Sequence, residues 1–346
     1  MSVLRLLILT IIFISLDITL YAYSYSIQGQ FWASGLTSKD VPSGQYSLQS
    51  NIGYIPTLSL LRALENNRLL DMELSYRLDR IYSGDSLINN TENIHRFWIR
   101  YSSNTLEARL GLQKIVFGHS QVLRSLSWFD TIDLKDPTGQ TDGVEAFRLR
   151  WFPSNSLSLW SWVINNKMDT LSFGLRGELS TNMADWGFTY HQDPSKFIQQ
   201  VGQSRIPVAG PHYCIAFDYR YDGFIGFWNE SAMIKSNKLE LKMITIGADY
   251  TLPTANGILI MTESMHISSK ENNSTSSKIF TAFMAGVPVG MFHNVMLIST
   301  LDWDGNNSYN YLRWSSTFDS FSINCMASIN PTEIGNNLQL MFIYNH

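Results

Sequence analysis

The dominant pattern along this chain has a period of two. Leu70, Met72, Leu74, Tyr76 and Leu78 alternate with Asp71, Glu73, Ser75, Arg77 and Asp79. His95, Phe97, Ile99 and Tyr101 alternate with Arg96, Trp98 and Arg100. Leu171, Phe173 and Leu175 alternate with Ser172, Gly174, Arg176 and Glu178, and Ile215, Phe217 and Tyr219 with Ala216, Asp218 and Arg220. Side chains of a strand point to opposite faces in turn, so each segment predicts a strand with one apolar and one polar face. About eighteen such segments run from 26–34 to 338–345, many of them about 9–11 residues long, the length that crosses a bilayer at a steep tilt.

The connections carry a second pattern. After even-numbered segments they are tight, as at Asn104, 153–155, 221–222 and 319–320. After odd-numbered segments they are longer: 35–44, 82–93, 117–142, 192–210, 269–278 and 330–337. Short turns on one rim and long loops on the other is the asymmetry of outer-membrane barrels. The link 55–68 breaks the rule, and 58–64 within it reads equally as a short helix or a strand continuation.

Composition narrows the setting. The chain has 346 residues, 45% hydrophobic, 13% aromatic and only 16% charged, against about 25% charged in ordinary soluble domains. Arg5 followed by an apolar run at 6–16 and the small-x-small triplet Ala22-Tyr23-Ser24 predict a secretory signal over 1–24, leaving 25–346 as one transmembrane β-barrel. No later run is long and apolar enough for a membrane helix. Tyr101, Trp151, Trp160, Trp162, Trp186, Tyr190, Trp228, Trp303 and Trp314 stand near strand ends, where they fit interfacial girdles or a soluble core. A secreted soluble β-protein is the competing fold. The net charge of -4 argues against nucleic-acid binding. Cys214 and Cys325 are far apart and each sits in a strand pattern, and the histidines share no metal-ligand spacing. No metal, cofactor or catalytic residue is expected.

In a closed barrel the apolar face meets lipid and the polar face lines the lumen. Parity then assigns Arg77, Arg96, Arg100, Arg109, Arg148 and Arg150 to the lumen, with Arg176 and Arg220 extending the strip. Arginine on the lipid face would cost about 2–4 kcal/mol near the midplane. The stretch 106–152 reads strand, long loop, strand. Its loop at 118–142 carries Asp130, Asp133, Asp136 and Asp142 against Arg124 and Lys135. Folded inward, it would narrow the pore and set carboxylates across from the arginines, a filter by charge. The alternative is a loop that caps the rim while the arginines pair with Glu73, Glu107 and Glu145.

The string Gly111-Leu112-Gln113-Lys114-Ile115-Val116-Phe117-Gly118, with Asp136-Pro137 and Gly143-Val144-Glu145-Ala146-Phe147-Arg148-Leu149-Arg150, resembles bacterial outer-membrane porin-like and alginate-export-like proteins. The long acidic loop after the fifth strand is similar to the inward-folded third loop of general porins, and the strand count to sugar-specific porins. The resemblance implies an outer-membrane barrel of 16–18 antiparallel strands that passes small polar or anionic solutes, with lipid around it and a homotrimer as its assembly. Such barrels end on an aromatic residue. Here Leu340, Phe342 and Tyr344 keep the alternation but the last residue is His346. Other readings are a non-conducting structural or adhesin-like barrel and a barrel lipid hydrolase. For the hydrolase, His119-Ser120 and His191 with Asp193 are the local candidates, and Gly-x-Ser-x-Gly does not occur.

Overall fold

Every long alternating segment becomes a strand in the computed structural model, which describes residues 23–39, 41, 46–166, 170–201, 206–254, 256–271, 274–331 and 335–346. The predicted signal at 1–24 lies almost wholly outside them. The strands are β1 (Tyr23–Ser38), β2 (Leu48–Leu64), β3 (Arg68–Ser83), β4 (Ser86–Ser102), β5 (Leu106–Gln113), β6 (Val144–Ser154), β7 (Leu157–Asn166), β8 (Thr170–Ser180) and β9 (Asp185–Asp193). A small hairpin, β10 (Ile198–Val201) and β11 (Ile206–Ala209), interrupts the series. Then follow β12 (His212–Asp222), β13 (Gly226–Ser236), β14 (Leu239–Leu252), β15 (Ile258–Glu271), β16 (Ser274–Val289), β17 (His293–Asp302), β18 (Asn307–Thr317), β19 (Phe321–Ile329) and β20 (Asn337–Asn345).

Apart from the hairpin, neighbours in sequence pair antiparallel in one 18-stranded sheet, with β9 joined to β12. The sheet closes on itself where β1 pairs with both β2 and β20. Closure leaves no strand edge unpaired, the condition for a sheet in hydrocarbon.

Several strands are longer than the alternation alone indicates. β4 has 17 residues, and its first five, Ser86 to Asn90, are exposed. The expected long links 82–93 and 269–278 are largely strand: β3 and β4 meet across Gly84 and Asp85, and β15 runs to Glu271 before β16 starts at Ser274. The irregular link 55–68 resolves as strand continuation. β2 runs to Leu64, and Asn66 and Asn67 then turn the chain with φ of 59° and 57°. Asn tolerates positive φ, and the three residues 65–67 link Leu64 to its partner Arg68.

Parity assigns the faces correctly, but the aromatic girdle only in part. Trp151, Trp186, Trp303 and Trp314 are exposed on the outside, whereas Trp162 and Trp228 are buried in the lumen. The turn-side girdle is instead built from Trp186, Tyr219 and Phe227 on one arc, and Phe292, Phe318, Phe321 and Phe342 on another. His346 completes this belt. Its backbone pairs with Gly29, and its ring stacks on Tyr54 and Tyr344.

The inward tryptophans share one packing device. Trp32 lies directly across from Gly53, Trp162 from Gly174, and Trp228 from Gly247. At each glycine an added Cβ would overlap the facing indole. Glycine clears the space in which a large lumen side chain lies flat on the neighbouring strand. Gly247→Val is therefore expected to displace Trp228 and cost about 1–3 kcal/mol of overpacking. Gly35→Val, where an added Cβ meets nothing within 4 Å, is expected to be neutral. The urea midpoint for loss of the folded, heat-modifiable gel band measures both.

Candidate functional site

The loop 114–143 between β5 and β6 lies inside the barrel. Its Ile115, Phe117, Leu126 and Trp128 pack in one buried cluster with Ala146, Trp162, Ala216, Ile234 and Met243 of the wall. Farther along, Val122 and Leu134 rest on a second cluster that includes Met261, Met284, Met296, Met326 and Met341 of β15, β16, β17, β19 and β20. This half of the lumen is thus lined by methionine. The expectation of a polar lumen face fails here because the loop, rather than water, covers the wall.

Packing alone leaves the loop's main-chain donors unpaired, and a buried unpaired N–H costs about 1–3 kcal/mol. Two wall carboxylates meet them. Glu230 of β13 accepts from His119 N at 2.5 Å and Ser120 N at 2.7 Å on one oxygen, and from Ser125 N at 3.0 Å and Leu126 N at 3.3 Å on the other. Glu263 of β15 accepts from Gln121 N at 2.7 Å, Val122 N at 3.0 Å and Leu123 N at 2.6 Å. The side chains are 1% and 0% exposed. The return limb is held by Tyr311, whose hydroxyl donates to Lys135 O at 2.7 Å, and by Gln140, which bridges Gln30 at 2.7 Å and His95 at 3.0 Å. Neither glutamate stands out in the sequence. The one cue is an acidic residue at a lumen position in a strand whose other lumen positions are apolar, as in Trp228, Ala232 and Ile234 around Glu230.

The loop's own carboxylates serve the loop. Asp130 forms a buried two-point pair with Arg124. Asp133 accepts from Lys135 N, and Asp136 from the backbone and hydroxyl of Thr138, the local turns that aspartate favours. The carboxylates that meet the arginines come from the wall instead. Arg100 pairs with Asp71 at 2.6 Å and reaches Glu107 at 3.5 Å. Arg148 pairs with Glu107 at 2.6 Å, and Arg109 lies 3.7 Å from the same carboxylate. Arg150 is 3.8 Å from Glu178, which also holds Arg176; Arg176 pairs with Asp218 as well. Arg77 pairs with Asp79. Arg96 donates to Thr141 O of the loop at 2.5 Å and to His95 O at 2.6 Å. Glu145 faces outward beside Phe147 and hydrogen-bonds Asn165, so it is no partner for this strip.

Indoles hold the guanidiniums in place. Arg109 lies 4.3 Å from the Trp98 ring centre and Arg150 3.8 Å from that of Trp160. Stacking leaves the edge of a guanidinium free to donate. Arg77, Arg96, Arg100, Arg109, Arg148 and Arg150 outnumber Asp71, Glu73, Asp79 and Glu107 on the lumen face of β3 to β6, so the strip is net basic. Beside it, β1 to β4 and Gln140 border a polar cavity of about 500 Å³ that includes Glu73, His95 and Arg96.

The candidate hydrolytic pairs are not assembled. The His119 ring faces Asp218 at 3.5 Å, while the Ser120 hydroxyl is buried without a hydrogen-bond partner. His191 Nδ1 accepts from Trp162, and Asp193 accepts from Asn166 and Ser195. Among the described residues no group of His, Cys, Asp or Glu is arranged to hold a metal ion.

The two glutamates give a direct test of how the loop is held. Glu230→Gln or Glu263→Gln replaces charge-assisted bonds, worth about 1.5–3 kcal/mol each, with an amide whose own N–H groups oppose the loop's. Hydrogen exchange of the amides from His119 to Leu126 is expected to rise by about tenfold or more while the strand amides stay protected.

Comparison of the sequence with protein-family profiles finds no match, and comparison with curated proteins finds none either. The fold does match solved structures. OccK5 (OpdH) of Pseudomonas aeruginosa superposes with a TM-score of 0.62 at 7% identity, over 93% of this chain and 97% of that one. The trimer form of OmpT, an outer membrane protein of Vibrio cholerae, gives 0.55 at 10% identity over 94% and 100%. An anion-selective porin from Comamonas acidovorans gives 0.53 at 14% identity over 94% and 100%. At these identities the likeness is one of architecture: the chain has the barrel fold of bacterial outer-membrane porins.

Proposed function

We propose that the chain is an outer-membrane channel through which small polar, anionic solutes diffuse. The observation that carries this reading is the net basic strip on the lumen wall, with Arg100 and Arg150 partly exposed at 29% and 25% of their side chains. Guanidiniums stacked on Trp98 and Trp160 offer a fixed row of donors to carboxylate or phosphate groups. In this reading the loop narrows the lumen through its backbone and apolar seat. Arg77, Arg96, Arg100, Arg109, Arg148 and Arg150 set the sign of the field, and Asp130, Asp133 and Asp136 keep the loop's shape. The anion-selective porin among the structural neighbours supports the same direction. The unassembled His and Ser groups favour transport over lipid hydrolysis. A homotrimer is proposed with it, in keeping with the trimer form described for Vibrio cholerae OmpT, and cross-linking in membranes is expected to give three-chain species.

One observation favours a second reading. The two apolar clusters that seat the loop fill much of the lumen, as a plugged, non-conducting barrel would require. Planar-bilayer recording separates the two. The channel reading expects an ohmic conductance and a reversal potential of anion-selective sign across a salt gradient. Arg100→Glu with Arg150→Glu is expected to lower the anion-to-cation permeability ratio by roughly tenfold or more. No conductance at all would favour the plugged barrel, and conductance with unchanged selectivity would remove the role given to the strip.

A further inference from the structure

A second cavity, of about 560 Å³, lies at the loop rim between the inward loop, the upper ends of β7, β9 and β12, and the hairpin β10–β11. Its hairpin roof is anchored, since Val201 and Val208 are buried in the same cluster as Trp128 and Ile164. Its chemistry differs from that of the basic strip: among the described residues no lysine or arginine lines it. The carboxylate of Asp193 already accepts from Asn166 Nδ2 at 2.8 Å and from Ser195 N at 2.8 Å. Glu145, whose side chain faces outward to Asn165, borders the cavity only at its edge.

The remaining polar groups include an imidazole and two amides. His212 Nδ1 lies 3.1 Å from Gly210 O; a carbonyl only accepts, so Nδ1 carries a proton, and in the neutral ring Nε2 then serves as an acceptor. Gln199 and Gln200 add planar amides, each both donor and acceptor. The apolar walls are ring-shaped. Phe129 stands edge-on to His191, with ring centres 4.8 Å apart, and edge-on to Trp128 at 6.3 Å.

An anion here would meet the Asp193 carboxylate with no cation among the described lining residues. A cation would have to take Asp193 from partners it already holds, and a charge leaving water is costly unless newly paired. A neutral ring with both a donor and an acceptor would lose little solvation and match amides, imidazole and aromatic walls together. We propose that this cavity is a binding site for small uncharged ring-bearing solutes that carry both a hydrogen-bond donor and an acceptor, such as aromatic amides, and that it is separate from the arginine strip.

Three probes share one ring and differ in charge: nicotinamide, the anion nicotinate and the cation 1-methylnicotinamide, methylated on the ring nitrogen. Isothermal titration calorimetry on the detergent-solubilised barrel is expected to show saturable binding of nicotinamide, with both charged forms weaker by about tenfold or more. His212→Phe, which keeps a ring but removes the acceptor, and Val201→Trp, which fills the cavity from the roof, are each expected to weaken nicotinamide by about tenfold. The heat-modifiable gel band confirms that each variant is folded. Arg100→Glu with Arg150→Glu is expected to leave nicotinamide binding unchanged, so this result is independent of whether the strip selects anions. The proposal is overturned if nicotinamide shows no saturable binding, if either charged form binds as well, or if both cavity variants bind nicotinamide like the unaltered barrel.

Discussion

The contact on which the lumen's architecture depends is that between two buried carboxylates and the main chain of the loop. A loop crossing the inside of a barrel has no sheet partner, so its N–H groups need acceptors from elsewhere. Glu230 and Glu263 supply them for the segment from His119 to Leu126. The dependence runs both ways. Among the described residues neither carboxylate has an ion-pair partner, and both are buried. Without the loop, two charges would stand on a lumen wall otherwise rich in methionine. The converging amide dipoles act as their counter-charge, as in other anion-holding concavities of backbone N–H groups. Wall and loop therefore specify each other.

This mutual fit divides the lumen. The methionine wall of β15 to β20 is covered by loop residues such as Val122 and Leu134. Methionine suits that task, because its flexible thioether fills irregular gaps beneath an irregular loop. The wall from β3 to β8 keeps its charges partly open to water, as the exposure of Arg100 and Arg150 records. The loop's seat leaves the arginine side as the part of the wall whose charges are partly exposed. Asp130 is neutralised by Arg124 inside the loop, and Asp133 and Asp136 cap local turns.

Much of this was legible in the chain. A period of two needs no partner to be visible, because alternation is a property of the strand itself. Each barrel strand accordingly has a counterpart in the alternation, and Arg96, Arg100, Arg109, Arg148 and Arg150 lie on the face that parity assigns them. Strand ends were less legible because 82–93 is polar and extended at once, so alternation fades where β3 and β4 leave the bilayer. Asn66 and Asn67 marked a short turn that the apolar run before them disguised. The partners of the arginines, and the clamp of Glu230 and Glu263 on residues more than one hundred positions away, are products of closure. No local pattern encodes which residues face one another across a barrel. The position of Trp162 and Trp228 is instructive for the same reason. Their indoles turn inward because Gly174 and Gly247 on adjacent strands make room, a relation between strands rather than within one.

Taken along the axis, the two chemistries have an order. The rim cavity offers amides, imidazole and aromatic rings with its carboxylates already paired. The strip toward the turn rim offers guanidiniums in excess of their partners. A field of a single sign placed below a neutral recess differs from a ring of opposed charges. Under the proposed function it would attract anions without repelling neutral solutes from the mouth. In the channel reading, a route past the loop-covered methionine wall would run from one environment to the other. The loop that joins them is thus more than an obstruction: Trp128 and Phe129 form the wall of the recess, and Thr141, thirteen residues past Trp128, accepts from Arg96 at the head of the strip. A displacement of this one segment would alter both environments together.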